Sequence, residues 1–203
     1  MVAAATIPPG EHVPTADQRV VMHHVPWTHF EAMLALRGEA SVPRMAYLQG
    51  ALELMSPSKD HERIKSYLGR LVELYADERD LVLSPYGAWT LKNSLKEAGV
   101  EPDECYIFGA DQGKDRPDLA IEVVWTTGGI DKLEAYRRLG VHEVWFWRDG
   151  ALEVHVLEKG SYERRERSVH LPQLDLALLC TLLECATITE AKAAFRQALS
   201  RAR

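Results

Sequence analysis

A chain of 203 residues that is 46% hydrophobic can bury most of the surface its unfolded form exposes, and its size is that of one ordinary domain. Its apolar runs, such as Leu176 to Leu183, fall well short of the roughly 20 residues of a membrane span, so a soluble, cytoplasmic protein with no membrane segment is expected. A formal charge of −6 gives no basic footprint for tight nonspecific binding of nucleic acid, although carboxylates clustered at a metal site would themselves add negative charge. Cys105, Cys180 and Cys185 have the spacing of neither a zinc knuckle nor a CxxC pair, and read as reduced cytosolic thiols.

Residues 1–24 begin small and apolar but lack a basic n-region and are broken by Pro8, Pro9 and Glu11, so they read as a flexible arm rather than a secretory signal. Residues 25–203 then form a single domain. Thr28 three residues before Glu31, ahead of Phe30, Met33 and Leu34, predicts a capping box opening a helix that ends at Gly38. Met45 to Leu48 and Leu52 to Met55 flank Gln49-Gly50-Ala51 as a hairpin, with Glu53 facing away from Leu52 and Leu54. Ser56-Pro57-Ser58 offers cap residues for a long helix in which Ile64, Leu68, Leu71, Val72 and Tyr75 recur at helical spacing to about Asp77.

Extended pieces follow at Leu81 to Ser84, Ala88 to Leu91 and Glu104 to Phe108, with a polar link from Asn93 to Glu101 and an exposed loop from Gly109 to Arg116. Leu119 to Trp125 has the composition of a strand covered on both faces. A helix with Leu133, Tyr136 and Leu139 on one face closes at Gly140. Val141 to Trp147, the Asp149-Gly150 turn and Leu152 to Leu157 make a second hairpin. Leu174 to Leu183 and Thr189 to Leu199 are peripheral helices. Arg164, Arg165 and Arg167, broken by Glu163 and Glu166, suit a solvated strand edge. The whole predicts an α/β protein, a mixed sheet flanked by helices, in which the strands around Glu122 and Trp145 are parallel neighbours.

Glu122 is out of place in its apolar strand, because an unpaired buried carboxylate costs several kcal/mol, at about 2–7 for a buried polar group and more for a charge. It is either a metal ligand or the salt-bridge partner of Lys132 or Arg116. Pro102-Asp103 followed by Glu122 has the layout of the PD-(D/E)XK nuclease motif, in which two neighbouring strands each present an acidic residue to one hydrated cation. Asp118 is a poorer partner: four residues of one strand hold it about 13 Å from Glu122, which leaves it to cap or support the site. Two carboxylates so close repel unless a cation or lysine compensates, and loss of the Glu122 charge would relieve that repulsion.

Gly50 to Pro57 followed by His61, then Glu101 to Tyr106, Pro117 to Val123, Asp131-Lys132 and Gly140 to Trp145 together resemble the Uma-two family of bacterial restriction endonucleases, over roughly residues 25 to 180. The resemblance implies a restriction-endonuclease-like core, a divalent cation (Mg²⁺ or Mn²⁺) and DNA hydrolysis. Asp103 and Glu122 would hold the metal. The superfamily lysine should stand two residues after the second carboxylate, where this chain has Val124; Lys132 is the substitute. Glu53 and His61 complete the catalytic set, against a plainer reading as a strand glutamate and a first-turn histidine. A homodimer is expected, as in nucleases that cut both strands. The competing expectations are a catalytically silent binding module on the same fold, or an RNA or nucleotide phosphodiesterase.

Overall fold

A computed structural model of the chain describes residues 15–110 and 113–201; the expected arm before Thr15 lies outside the described residues. The chain enters with β1 (Gln18–Met22), part of the segment expected to be a loose arm. β1 pairs antiparallel with β3 (Ala51–Ser56), from Gln18 opposite Ser56 to Met22 opposite Leu52. The departure has a plain cause: the outer edge of β3 would otherwise present unpaired N–H and C=O groups, and β1 satisfies them. Helix α1 (Trp27–Arg37) starts before Thr28, so the capping box does not form; Pro26 is its N-cap with no side-chain bond, while Gly38 ends it as expected.

β2 (Arg44–Leu48) and β3 form the expected hairpin, with positive φ at both Gln49 and Gly50, the signature of a two-residue turn whose twist matches the strands. Helix α2 (Lys59–Glu78) is capped by Ser58, whose hydroxyl accepts the His61 N–H at 3.2 Å, and Asp60 and Glu62 complement the positive end of its dipole. β4 (Leu83–Pro85) and β5 (Leu91–Asn93) follow. The link expected to be polar and Gly-containing holds β6 (Ala98–Val100), which packs in the core because a side chain at Gly99 is absent: a Cβ there would lie 2.6 Å from the Phe30 ring.

β7 (Glu104–Phe108), β8 (Leu119–Val124), α3 (Lys132–Leu139) and β9 (Glu143–Arg148) build the strand–helix–strand unit around the candidate site. β8 and β9 are directly paired and parallel, from Leu119 opposite Glu143 to Val124 opposite Arg148, whereas β7 is antiparallel to β8. The Asp149-Gly150 turn leads to β10 (Ala151–Glu158), then β11 (Ser161–Arg165), the solvated edge bearing Arg164 and Arg165. Helices α4 (Leu176–Leu183) and α5 (Ile188–Arg201) end the described chain.

Among the described residues the strands form two sheets, β1-β3-β2-β6-β5 and the mixed sheet β11-β10-β9-β8-β7-β4. Side chains alternate along β8 and sort to two cores. Leu119, Ile121 and Val123 pack with α2, α4 and α5 through Leu68, Leu71, Leu179 and Phe195. Ala120 and Val124 face the other way, toward Tyr136 and Leu139 of α3 and, beyond them, Ala46 and Val100 of the first sheet. Glu122 shares their parity and therefore points at α3. Among the described residues no helix is long and apolar enough to cross a membrane, and all three cysteines are free.

Candidate functional site

Glu122 is buried at 1% exposure, and both its oxygens are engaged by α3. Lys132 Nζ, in the first turn, lies 2.6 Å from Oε2, and the Tyr136 hydroxyl, one turn on, donates to Oε1 at 2.5 Å. Spacing of i and i+4 puts those two donors on one helix face. Of the two salt-bridge partners open to Glu122, the structure selects Lys132; Arg116 pairs with Asp115 instead. Burial raises the Glu122 pKa and the nearby Asp103 charge raises it further, while Lys132 pulls it down. Lys132 itself is burdened by burial, yet the charges of Glu122, Asp103 and Glu53 lift its pKa above the ordinary lysine value.

Asp103 sits one residue before β7, bridging the backbone on both sides of Glu122: its N–H donates to Ile121 O at 3.1 Å and its Oδ2 accepts the Val123 N–H at 2.6 Å. Oδ1 accepts from Arg44 Nη1 and lies 3.0 Å from His61 Nε2. Burial alone would raise this carboxyl, but the His61 hydrogen bond and the charges of His61 and Arg44 outweigh it and hold Asp103 well below the usual carboxylate range. The same contacts work on His61 in reverse. Burial would lower its pKa, while hydrogen bonds to Asp103 and to Asp17 lift it to about 9. His61 is thus an imidazolium at neutral pH, with both ring nitrogens donating.

Glu53 is also buried, and its Oε2 accepts the Ile130 N–H at 3.0 Å, which ties β3 to the loop ahead of α3. That loop can approach because residue 129 is glycine: φ is +100°, and a Cβ would fall 2.0 Å from Glu53 Oε2. An open cleft of about 300 Å³ has Glu122, Lys132 and Glu53 on its polar side and Phe146, Val124 and Leu133 on its apolar side. His61 is sealed from it at 0% exposure and touches Asp103 only from behind.

The structure therefore brings together Asp103, Glu122, Lys132, Glu53 and His61. Asp118 stands apart at the far end of β8, where it accepts the Phe108 N–H at 2.8 Å and pairs with Lys114. It supports the loop after β7 rather than the site, because the strand length between it and Glu122 cannot be bridged. Sequence reasoning missed Arg44, Asp17 and Tyr136. Arg44 did leave a signal, a charged residue opening the apolar run Met45 to Leu48.

A magnesium-type ion needs only one or two carboxylates, with water and substrate phosphate filling its other positions. Among the described residues no three His, Cys, Asp or Glu side chains group to hold a metal. The carboxylate oxygens of Asp103 and Glu122 are the hard donors such an ion takes; Glu122 lines the cleft and Asp103 does not. Entry of the ion at Glu122 would be in competition with the Lys132 ammonium.

A profile described as "Putative restriction endonuclease", Uma2, matches residues 27–188. Among solved structures, a "putative nuclease belonging to DUF820 from Anabaena variabilis ATCC 29413" is 12% identical, with 79% of this chain and 96% of that chain covered at a TM-score of 0.49. No curated protein matches the chain. Since the matched profile runs from the start of α1 to the start of α5 and takes in Glu53, His61, Asp103, Glu122 and Lys132, the chain belongs to the Uma2 family.

Proposed function

We propose that the chain is a divalent-metal-dependent endonuclease that hydrolyses phosphodiester bonds of DNA. The observation that carries this reading is Glu122, a buried strand carboxylate beside Asp103, held by Lys132 at the floor of an open cleft. Asp103 and Glu122 would hold Mg²⁺ or Mn²⁺, which when bound neutralises charge on the phosphoryl oxygens and acidifies a water. Lys132 carries a full charge at the cleft and donates to the phosphate oxygens as negative charge builds there. Tyr136 fixes the orientation of Glu122, and Arg44 with His61 fixes that of Asp103. Glu53 holds the loop that delivers Lys132. His61 thus acts through Asp103, not on substrate. The active form in this reading is a homodimer, which sedimentation tests at micromolar concentration.

One observation favours a second reading, a silent binding module on the same fold: the oxygens of Asp103 and Glu122 already have partners within the chain. Purified protein incubated with plasmid, linear duplex, single-stranded DNA and RNA, with and without Mn²⁺, separates the two. We expect metal-dependent cleavage of DNA that Glu122→Gln abolishes. Wild-type cleavage by Glu122→Gln would refute the assigned site, and absence of both cleavage and Mn²⁺ binding in the wild type would establish the silent module.

A further inference from the structure

The family profile begins at residue 27, yet residues 15–19 reach back into the site from outside it. Asp17, buried at 7% exposure, makes three contacts with two different parts of the fold. Its Oδ2 lies 3.1 Å from His61 Nδ1, and its Oδ1 accepts the Ser58 N–H at 2.8 Å at the start of α2. Its own N–H donates to Thr126 Oγ1 at 3.0 Å, in the loop between Glu122 and Lys132. Neighbours reinforce the same two places. Thr15 binds Asp60 Oδ2 through N–H at 2.7 Å and accepts the Trp125 Nε1–H at 2.6 Å. Arg19 donates to Thr126 O at 2.9 Å and Gly128 O at 2.8 Å, and its Nε stands 3.4 Å from Glu53.

A histidine ring held to a carboxylate through one nitrogen is free to rotate unless its other nitrogen is engaged, and such outer partners orient the groups that in turn orient metal-binding side chains. His61 has Asp103 on Nε2 and Asp17 on Nδ1, with no exposed surface between them. We propose that Asp17 is a positioning residue of the site, fixing the His61 ring so that Nε2 stays on Asp103 Oδ1. This rests on reading Asp103 as part of the functional centre. The segment expected to be a flexible arm is then a working part of that centre, and it lies outside the region the family profile covers.

The test compares the full-length wild type with Asp17→Ala and Asp17→Asn, using ¹⁵N-labelled histidine to follow the His61 ring nitrogens, alongside metal-dependent plasmid cleavage. In Asp17→Ala both ring resonances should shift, Nε2 included, although Asp17 touches only Nδ1. Cleavage per folded molecule should fall about 10- to 100-fold, the usual loss when an outer partner is removed. Asp17→Asn keeps an oxygen that accepts from Nδ1–H and should give an intermediate rate; it also supplies the answer if the alanine variant does not fold. A role confined to stability would lower the melting temperature and leave Nε2 and the rate unchanged. An Nε2 resonance at its wild-type position in the folded variants overturns the proposal. If the wild type cleaves nothing, the nuclease reading fails by itself and the His61 spectrum still decides the role of Asp17.

Discussion

Consider Glu122→Gln in the metal-free protein. Sequence alone suggests that loss of this charge relieves repulsion with Asp103 and stabilises the fold. The structure reverses that sign, because Lys132 sits 2.6 Å from Glu122 Oε2 with 15% of its side chain exposed and already compensates both carboxylates. Breaking a buried pair by removing one partner costs about 3–5 kcal/mol. Lys132 keeps the attraction of Asp103 and Glu53 and some access to water, which places the loss at the lower end, about 3 kcal/mol. For a chain of this length about 1 kcal/mol moves the melting point by about 2–4 °C, so calorimetry without metal should show a drop of about 6–12 °C. The double variant Glu122→Gln, Lys132→Met should recover much of it, giving a coupling energy that the cycle isolates. A single variant that melts at or above the wild-type temperature would show that repulsion between the carboxylates outweighs the ion pair, and the electrostatic account given for the site would be wrong.

Lys132→Ala removes the ammonium that competes for Glu122 Oε2, so Mn²⁺ titrated by calorimetry should bind at least as tightly as to the wild type while plasmid cleavage slows. Gly129→Ala should lower the melting temperature well beyond Gly128→Ala: φ is nearly the same at both, +100° and +101°, but only residue 129 would drive a methyl into Glu53. Glu104, on the α2 side of β7, has its pKa raised to about 7 by burial, with the charge of Glu73 adding to the effect against Lys65. A carboxyl whose folded pKa lies above its unfolded value favours folding below about 4.5, and that contribution disappears as pH rises through 7. Glu104→Gln should therefore melt higher than the wild type at pH 8 by at most about 3 kcal/mol of stability, and match it at pH 4, when melting curves are run across that range.

What could be read before the fold was seen follows locality. β7 runs from Glu104 to Phe108 in both readings, and the two hairpins and α3 carry their own turn and cap residues. The incongruity of Glu122 in an apolar strand led to Lys132 because the partner is one loop away. β6 stayed hidden since Gly99 reads as a breaker until Phe30 is seen lying on it. Arg44 and Asp17 stayed hidden because their partners stand 59 residues away at Asp103 and 109 residues away at Thr126. No local pattern encodes such a meeting. The helix face of Tyr136 was legible as core, but the hydroxyl at its end needed the position of Glu122.

Those separations also order events during synthesis. Asp17 leaves the ribosome long before Thr126, its loop partner, is translated, and at about 5–20 residues per second the wait is about 5–20 s. Early in that interval β3 can pair with β1 and β2 before Asp103 and Glu122 are made, and Lys132 follows only after Thr126. The cleft is complete only when α3 docks between two sheets made at different times. A nascent or prematurely terminated chain ending before α3 thus carries no assembled centre, and any cutting activity would begin only with chains that extend past α3.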